Sequence, residues 1–216
     1  MGLLRLFIIE DLKDHSLWFI ANGHTEPAPV LLKKMEDLIA AKMANFKSQS
    51  LAETYPLAIH PDSTSDEYAQ ALHKLMDYLI AGDVYVTNFT GTLTVDCQCP
   101  PYTFFSRLRR DNPSPFGAYL QYDSYQIISA SMERLLRING KKIETRPIKG
   151  TRRRGKTAEE DAALRKELAE SQKDQSELLM IVDLERNDLN KICEPGSVIV
   201  PDLFAVEEYA TVFHLI

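Results

Sequence analysis

The dipeptide Asn139-Gly140 constrains the fold of this chain more than any other local feature. It separates the apolar run 135–138 from a second strand-like run at 142–146, and a two-residue Asn-Gly loop between such runs is the strongest short-range signal for a β-hairpin. Two more strands are predicted shortly before it, at 116–122 and 126–131. This part of the chain is therefore predicted to form hairpins rather than a regular alternation of strands and helices.

Helices are predicted elsewhere from apolar periodicity and from capping signals. The predicted helices are 30–46, 64–82, 102–110, 157–170 and 173–190. The second of them begins with a capping box from Thr64 to Glu67 and ends at Gly82, where a left-handed C-cap belongs. Further strands are predicted at 3–9, 17–21, 83–95 and 197–200, and a loop at 47–61.

The composition limits the function classes that the chain can serve. The 216 residues carry a formal net charge of −6, which argues against a general nucleic-acid binder. The three cysteines include a C-x-C pair, which is not a usual zinc spacing, so free thiols are expected. No apolar run approaches the roughly 20 residues of a membrane span, and the first residues do not form a secretory signal. A cytoplasmic protein without nucleic-acid or membrane partners is expected.

The segment 144–151, with the sequence ETRPIKGT, holds the first candidate for chemistry. It places Lys149 between Ile148 and a predicted Gly-Thr turn, just after a predicted strand. A lysine in a confined, partly apolar site is a candidate amine nucleophile, because burial disfavours its charged form and exposes the lone pair. The alternative is that Lys149 is one of 25 basic residues, on a solvated loop.

Glu133 is a candidate partner for this lysine. It precedes the Asn139-Gly140 hairpin, and the folded hairpin is expected to bring Glu133 and Lys149 together on adjoining strands. A carboxyl group beside an amine offers an acid to protonate a leaving group and a nucleophile to displace it. The alternative is an ordinary surface ion pair that involves Glu133 and Arg134.

Two acidic residues on the last predicted helix, and a histidine near the end, complete the candidates. Asp174 and Glu177 are three positions apart, so they face the same way on a helix, and paired carboxylates of this kind suit Mg²⁺. The alternative is a solvated helix face opposed by Lys173. His214 lies in an apolar run, where a lone histidine is more often a satisfied core group than a catalytic one.

Taken together, these motifs resemble those of the chorismate-utilising enzymes. The resemblance is carried by AGDVY at 81–85, NPSPFGAY at 112–119, SMERL at 131–135, ETRPIKGT at 144–151, LMIVDLERND at 179–188 and the segment around His214. The family comprises component I of anthranilate synthase and of aminodeoxychorismate synthase, together with the isochorismate and salicylate synthases. The resemblance implies a magnesium-dependent enzyme that acts on chorismate. By resemblance, catalytic roles fall to Lys149, Glu133 and His214, substrate contacts to Gly150 and Thr151, and metal binding to Glu177 with Asp174 as its acidic neighbour.

Position 149 separates the branches of this family. Aminodeoxychorismate synthases resemble this chain in carrying lysine there, whereas anthranilate synthases usually carry alanine. In the isochorismate and salicylate branch a lysine near position 86 activates water, and Val86 counts against that branch. The implied branch therefore aminates chorismate to 4-amino-4-deoxychorismate through a covalent lysine intermediate, with ammonia from a glutamine amidotransferase subunit. Anthranilate synthase component I, and a non-catalytic fragment of such an enzyme, remain as alternatives.

The resemblance also implies a fold and a division of the chain. The expected fold is α+β, with mainly antiparallel β-sheets in a sandwich and helices outside. Residues 1–61 would belong to a shortened N-terminal subdomain, and residues 62–216 to the N-terminal part of the chorismate-binding domain. The family's Gly-Ala-Pro-Lys segment and two further acidic metal ligands are not found in the sequence. The fold is therefore expected to be incomplete, and the chain to be a piece of a longer protein.

Overall fold

The computed structural model describes residues 6–11, 13–44, 46 and 54–216. Contacts divide the chain into two compact units, residues 1–50 and residues 51–216. In the first unit, β1 (Leu6–Asp11) and β2 (Ser16–Ala21) form an antiparallel hairpin, and α1 (Ala28–Met43) packs against β2. Leu31 and Met35, one helical turn apart, are the buried side chains of α1.

The second unit contains nine strands and four helices among its described residues. In chain order they are β3 (Leu57–Pro61), α2 (Ser65–Ala81), β4 (Leu93–Cys97), α3 (Pro101–Asp111), β5 (Phe116–Gln121), β6 (Gln126–Ser131), β7 (Arg134–Asn139), β8 (Lys142–Arg146), β9 (Lys149–Arg153), α4 (Ala158–Glu170), α5 (Gln172–Asn190), β10 (Val206–Glu208) and β11 (Val212–Leu215). The pairs β3–β4, β5–β6 and β7–β8 are antiparallel, and β10, β11 and β9 form a three-stranded antiparallel sheet with β11 in the middle.

The local signals in the sequence are confirmed where they specify a turn or a cap. Gly140 has φ 59°, the left-handed conformation that the tight loop between β7 and β8 requires. Thr64 and Glu67 form the predicted capping box at the start of α2, and Gly82 closes that helix with φ 79°. The predicted helices over 30–46, 102–110, 157–170 and 173–190 correspond to α1, α3, α4 and α5.

Three strand and loop predictions are wrong. The strand predicted over 83–95 is replaced by β4, which begins only at Leu93, because that is where the chain meets the end of its partner β3. Consequently residues 57–61 form a strand and not the end of a loop, while residues 47–53 of that predicted loop lie outside the described residues. Residues 197–200 are not a strand, since their backbone pairs with no neighbouring strand among the described residues.

The sheets are small, and this bears on the predicted fold class. Over the described residues the strands form four two-stranded sheets and one three-stranded sheet, and five helices occur along the chain. Helices and small antiparallel sheets fit an α+β fold, whereas a stacked sandwich is not confirmed. Within the part of the chain that the structure describes, no helix is both long enough and apolar enough to cross a membrane.

The hydrophobic core of the second unit lies where α4 and α5 meet the three-stranded sheet. Leu168, Leu178, Phe213 and Leu215 are fully buried there. Each such side chain contributes about 1.5–3 kcal/mol relative to an exposed position. The apolar run 210–216 is therefore mainly a buried strand, and it is this packing that fixes the position of β9 beside it.

Candidate active site

Strand β9 carries three of the predicted site residues, Lys149, Gly150 and Thr151. It pairs with β11, so that Thr151 lies opposite His214 while Lys149 lies opposite Leu215. The two paired positions are adjacent on β11 but two residues apart on β9. Gly150, which lies between them on β9, is therefore the extra residue of a β-bulge. The prediction of a Gly-Thr turn is wrong, because pairing with β11 keeps these residues in a strand.

Both the backbone conformation and the lack of space at position 150 favour glycine. Its φ is 78°, in the left-handed region that other residues rarely adopt. A Cβ atom at this position would also lie 2.8 Å from the Cβ of Asp174 and 3.0 Å from Cδ1 of Leu168. The backbone of β9 therefore passes directly against α4 and α5, and no larger residue fits there without a shift of the backbone.

Thr151 and His214 contact one another across the two strands. The hydroxyl oxygen of Thr151 is 3.0 Å from Nδ1 of His214, and the ring of Tyr209 approaches the imidazole edge-on at 5.4 Å between centroids. Burial lowers the pKa of His214, and a hydrogen bond with the Gly150 backbone only partly opposes this. The imidazole is therefore mainly neutral near pH 7, and its orientation is set by Thr151.

Asp174 and Glu177 lie in different environments although both are on α5. Asp174 is 4% exposed, and its carboxylate accepts a hydrogen bond from Nη2 of Arg152 at 3.1 Å. A hydrogen bond with Ser171 and the charge of Arg152 lower the pKa of Asp174, against the opposing effect of burial. The Glu177 side chain is 42% exposed, with the ammonium group of Lys173 at 3.7 Å.

This difference defines what each of the two carboxylates offers to a metal. Asp174 is committed to Arg152, whereas the carboxylate of Glu177 is accessible. Among the described residues, no group of three or more His, Cys, Asp or Glu side chains is arranged to hold a metal ion. The predicted pair of ligands is thus split into one buried ion-pair partner and one accessible carboxylate.

Glu133 lies near Lys149 because its carboxylate binds the backbone N–H of the preceding residue, Ile148. It is exposed, in the connection between β6 and β7, and its Oε1 accepts a hydrogen bond of 3.4 Å from the backbone N–H of Ile148. Lys149 is the next residue along the chain. The expectation of adjoining strands is wrong, because β7 pairs with β8 and β9 pairs with β11. The two residues are neighbours because the β8–β9 connection returns past Glu133.

A second carboxylate close to Lys149 was missed by sequence analysis. Glu185, near the end of α5, accepts a hydrogen bond of 2.9 Å from the hydroxyl of Thr145 at the end of β8. Burial raises the pKa of Glu185 and the charge of Glu133 adds to this, while the Thr145 hydrogen bond and the charge of Lys149 act in the opposite direction. The available signal was its position three residues after Val182, on the apolar face of the helix.

A cavity of about 250 Å³ lies beside these residues. Its lining includes Ile148, Arg146, Glu207 and Tyr209. Arg146 donates to one oxygen of Glu207, and the hydroxyl of Tyr209 donates to the other at 2.7 Å. Burial alone would raise the pKa of Glu207, but these two hydrogen bonds bring it below its ordinary value. Burial, with the nearby Glu207, raises the pKa of Tyr209 to about 12.

The three consecutive arginines are structural; Arg152 and Arg153 end β9, and Arg154 directly follows it. Each forms an ion pair with an acidic residue of α4 or α5. Arg152 pairs with Glu167 at 2.7 Å and with Asp174 at 3.1 Å, Arg153 with Glu160, and Arg154 with Asp161 at 2.6 Å. These pairs attach β9 and the residue after it to the helices.

Comparison with known proteins relates the chain to chorismate-binding enzymes. A family model described as chorismate binding enzyme matches residues 1–216. Aminodeoxychorismate synthase component 1 of Bacillus subtilis is 38% identical over 211 residues, 96% of this chain and 45% of the relative. Anthranilate synthase component 1 of Spirochaeta aurantia is 41% identical over 165 residues, 76% of this chain and 34% of the relative.

A solved structure shows the same architecture. The crystal structure of anthranilate synthase component I from Streptococcus pneumoniae TIGR4 superposes with a TM-score of 0.80 at 25% sequence identity. The match covers 98% of this chain and 48% of that protein. The chain thus spans about half the length of that structure, and about half or less of the two relatives above.

Proposed function

Because the chain belongs to the family of chorismate-binding enzymes, we propose that it serves the amination of chorismate to 4-amino-4-deoxychorismate, as an aminodeoxychorismate synthase component 1. Overall identity does not separate the two branches, since relatives named for either product are matched at similar levels. The observation that carries the proposal is the place of Lys149 on β9, one residue after Ile148, whose backbone N–H is bound by Glu133, and two residues before Thr151, which lies opposite His214. An alanine at this position would offer no nucleophile.

The contacts of Lys149 support this role. The bulge at Gly150 presses β9 against Asp174 and so fixes the strand that carries the lysine. Thr151, two residues after Lys149, contacts the neutral His214, and Glu133 accepts a hydrogen bond from Ile148, the residue before Lys149. Glu133 and His214 are thereby attached to residues on either side of Lys149, which supports the roles that the resemblance implies for these three residues.

Mg²⁺ is the proposed cofactor, and Glu177 is its proposed ligand in this chain. An accessible carboxylate fits, because Mg²⁺ usually binds to one or two carboxylates and keeps several waters. Asp174 would not ligate but would hold Arg152 and the start of α5 in place. When bound, the ion would balance the charge of the ring carboxylate of chorismate and withdraw electrons from the diene.

The proposed reaction exchanges one water for one ammonia. Lys149, as the neutral amine, adds to C2 of the ring while Glu133 gives a proton to the C4 hydroxyl, which leaves as water. Ammonia then adds at C4 while the bond between C2 and the lysine nitrogen breaks, and the new ammonium group returns one proton to the carboxylate of Glu133. The amine of Lys149 is restored, and 4-amino-4-deoxychorismate is released. The ammonia is proposed to come from a glutamine amidotransferase subunit, in keeping with the name component 1 of the relative.

The covalent intermediate gives the decisive test. The chain is incubated with chorismate and Mg²⁺ without ammonia, and its intact mass is measured. We expect an adduct of chorismate less water, which is absent in Lys149→Ala and retained in Lys142→Ala, a control at an exposed lysine on β8. An adduct that survives Lys149→Ala would remove this lysine from the proposed role.

Anthranilate synthesis is the second candidate, because a relative at 41% identity and the superposed crystal structure both bear that name. The products differ, since anthranilate is an aromatic fluorophore and 4-amino-4-deoxychorismate is not. Turnover by the purified 216-residue chain with chorismate, Mg²⁺ and ammonium therefore separates the candidates by fluorescence and by product mass. If neither product forms under these conditions, the chain alone is not catalytic, and the hypothesis of a non-catalytic fragment is supported.

A further inference from the structure

The three-stranded sheet has one apolar face and one polar face. On β11, Phe213 and Leu215 are fully buried in the core against α4 and α5. Side chains alternate along a strand, so His214 between them points to the opposite face. There it lies between Glu207 of β10 and Thr151 of β9, its partners on the two neighbouring strands. The imidazole is therefore outside the apolar core, and its position depends on the groups around it on that face.

Tyr209 covers the imidazole on this polar face. Its ring meets that of His214 edge-on, with 5.4 Å between centroids and 65° between planes. Tyr209 directly follows β10, and its backbone N–H donates to the carbonyl of Val212 at 2.9 Å. Its own carbonyl accepts a hydrogen bond of 2.9 Å from Nη1 of Arg154. The backbone of Tyr209 is therefore held directly beside the strand that carries His214.

The hydroxyl of Tyr209 is anchored as well. It donates a hydrogen bond of 2.7 Å to Oε2 of Glu207, and Arg146 of β8 donates to Oε1 of the same carboxylate. Hydrogen bonds with charged groups are roughly twice as strong as those between neutral groups. Glu207 is in turn the residue opposite His214 in the pairing of β10 with β11. The backbone and the hydroxyl of Tyr209 are thus both fixed, and its ring lies between them against one imidazole.

We infer that Tyr209 is a positioning residue for His214, whose ring holds the imidazole against Thr151 and shields it from water. The inference rests on the proposed function only in that His214 is taken to belong to the active site. Arg146 and Glu207 act through Tyr209, because they fix its hydroxyl. Tyr209 itself is not proposed to exchange a proton, since its pKa is raised to about 12 and the phenol stays neutral near pH 7.

The charges around His214 provide an effect opposite to that of the ring. Burial lowers the pKa of His214, whereas a hydrogen bond with the Gly150 backbone and the charges of Glu133 and Glu207 raise it. Removal of the covering ring should therefore raise this pKa, and removal of the charge of Glu207 should lower it. Further charged residues on the elements around β11 are Lys149 and the paired side chains of Arg146, Arg152, Arg153 and Arg154.

The test follows the imidazole itself by NMR, without any substrate. The 216-residue chain is labelled with ¹³C in its histidine rings, and the signal of His214 is assigned by its loss in His214→Gln. For Tyr209→Ala we expect the titration midpoint of His214 to rise toward its ordinary value of 6.5, because water reaches the imidazole. For Tyr209→Phe, which keeps the ring, we expect a midpoint close to that of the unmodified chain.

Two further variants separate shielding from a general loss of structure. Glu207→Gln removes a negative charge opposite His214 but keeps an acceptor for the Tyr209 hydroxyl, so the midpoint should fall. A loosened fold would instead expose the imidazole and raise the midpoint in this variant too. Tyr125→Ala removes a ring that is 54% exposed and stacks on Tyr122, away from His214, and should change nothing.

Opposite shifts of the His214 midpoint in Tyr209→Ala and Glu207→Gln would support the inference. An unchanged midpoint in Tyr209→Ala, or upward shifts in both variants, would overturn it. Tyr209→Leu replaces Tyr209→Ala if the latter does not fold. In the unmodified chain, rings 5.4 Å apart should also give a nuclear Overhauser effect between their protons, and its absence would overturn the inference. Because these measurements need no chorismate, failure to form the lysine adduct would refute the proposed function and leave this result interpretable.

Discussion

The second unit contains two regions that are stabilised in different ways. In the core region, residues 149–190 and 206–215, α4 and α5 cover the three-stranded sheet, and Phe213 and Leu178 are fully buried. In the hairpin region, residues 116–146, β5–β6 and β7–β8 remain two-stranded, and Leu135 is 81% exposed. Isolated two-stranded hairpins are marginal in water, and exposed apolar faces mark interaction surfaces.

The difference explains how the candidate site is assembled. Lys149 and His214 belong to the core region, whereas Glu133 lies in the connection between the hairpins. The boundary between the regions carries polar contacts, among them Glu133 with Ile148 and Thr145 with Glu185. The proposed nucleophile, Lys149, therefore lies on a strand fixed by apolar packing, while the position of the proposed acid, Glu133, depends on hydrogen bonds that are individually worth about 1 kcal/mol.

The largest expected effect is a loss of folding stability on substitution in the core region, which a substitution in the hairpin region should not cause. Phe213→Ala removes a fully buried ring, which also lies against the guanidinium of Arg154 at 4.5 Å, and leaves a cavity. We expect the free energy of unfolding, measured with urea, to fall by about 3–5 kcal/mol.

The matched variant in the hairpin region is Leu135→Ala, at a side chain that is 81% exposed. Its expected effect on the free energy of unfolding is below about 0.5 kcal/mol. Equal losses in the two variants would show that the regions are not different in packing, and the comparison above would be wrong.

The second prediction compares the loss of stability caused by alanine at two glycines that both have positive φ. Gly150→Ala must force an L-residue into φ 78° and place a methyl group 2.8 Å from Asp174. At Gly140 φ is 59°, but nothing lies within 4 Å of the added atom. We expect unfolding free energies lower by about 2 kcal/mol or more for Gly150→Ala and by about 1 kcal/mol for Gly140→Ala.

The same pair has a second readout at the site. Gly150→Ala should also abolish the chorismate adduct of Lys149, since β9 must move away from α5 to admit the methyl group. Gly140→Ala should retain the adduct. A fully active and fully stable Gly150→Ala variant would show that the close approach of β9 to Asp174 has no importance.

These comparisons also show what the sequence can predict. The turn at Asn139-Gly140 and the cap at Thr64 were predictable, because each depends on residues only a few positions apart. The pairing of β9 with β11 joins residues about sixty positions apart, and no local pattern specifies it. For the same reason the predicted turn at Gly150 proved to be a bulge.

The site residues also divide into those that sequence motifs indicate and those that depend on tertiary contacts. Lys149, Glu133 and His214 were identified through a resemblance of motifs, and the structure brings them together. Glu185 was missed because its meaning depends on Thr145, which reaches it only after β8 has folded against α5. Asp174 and Glu177 were treated as a pair on spacing alone, but the tertiary contact with Arg152 separates their roles.

The smallest expected effect lies at the edge of the core region and depends on pH. Asp161 accepts hydrogen bonds from Arg154 at 2.9 Å and 2.6 Å and from the backbone N–H of Gly155 at 2.7 Å. The hydrogen bonds from Arg154, followed by that from Gly155, lower the pKa of Asp161 from 3.8 to about 2. The folded state therefore holds the proton of Asp161 less readily than the unfolded state does.

The sign of the pH dependence follows from this difference. The stabilisation from Asp161 is fully present above its unfolded pKa of 3.8 and is lost as the pH falls through about 2. Asp161→Asn should thus be modestly less stable than the unmodified chain near pH 7, and the gap should narrow between these two values. Urea unfolding across that range measures the gap. If the gap is constant with pH, the ion pair between Arg154 and Asp161 does not contribute to stability through its charge.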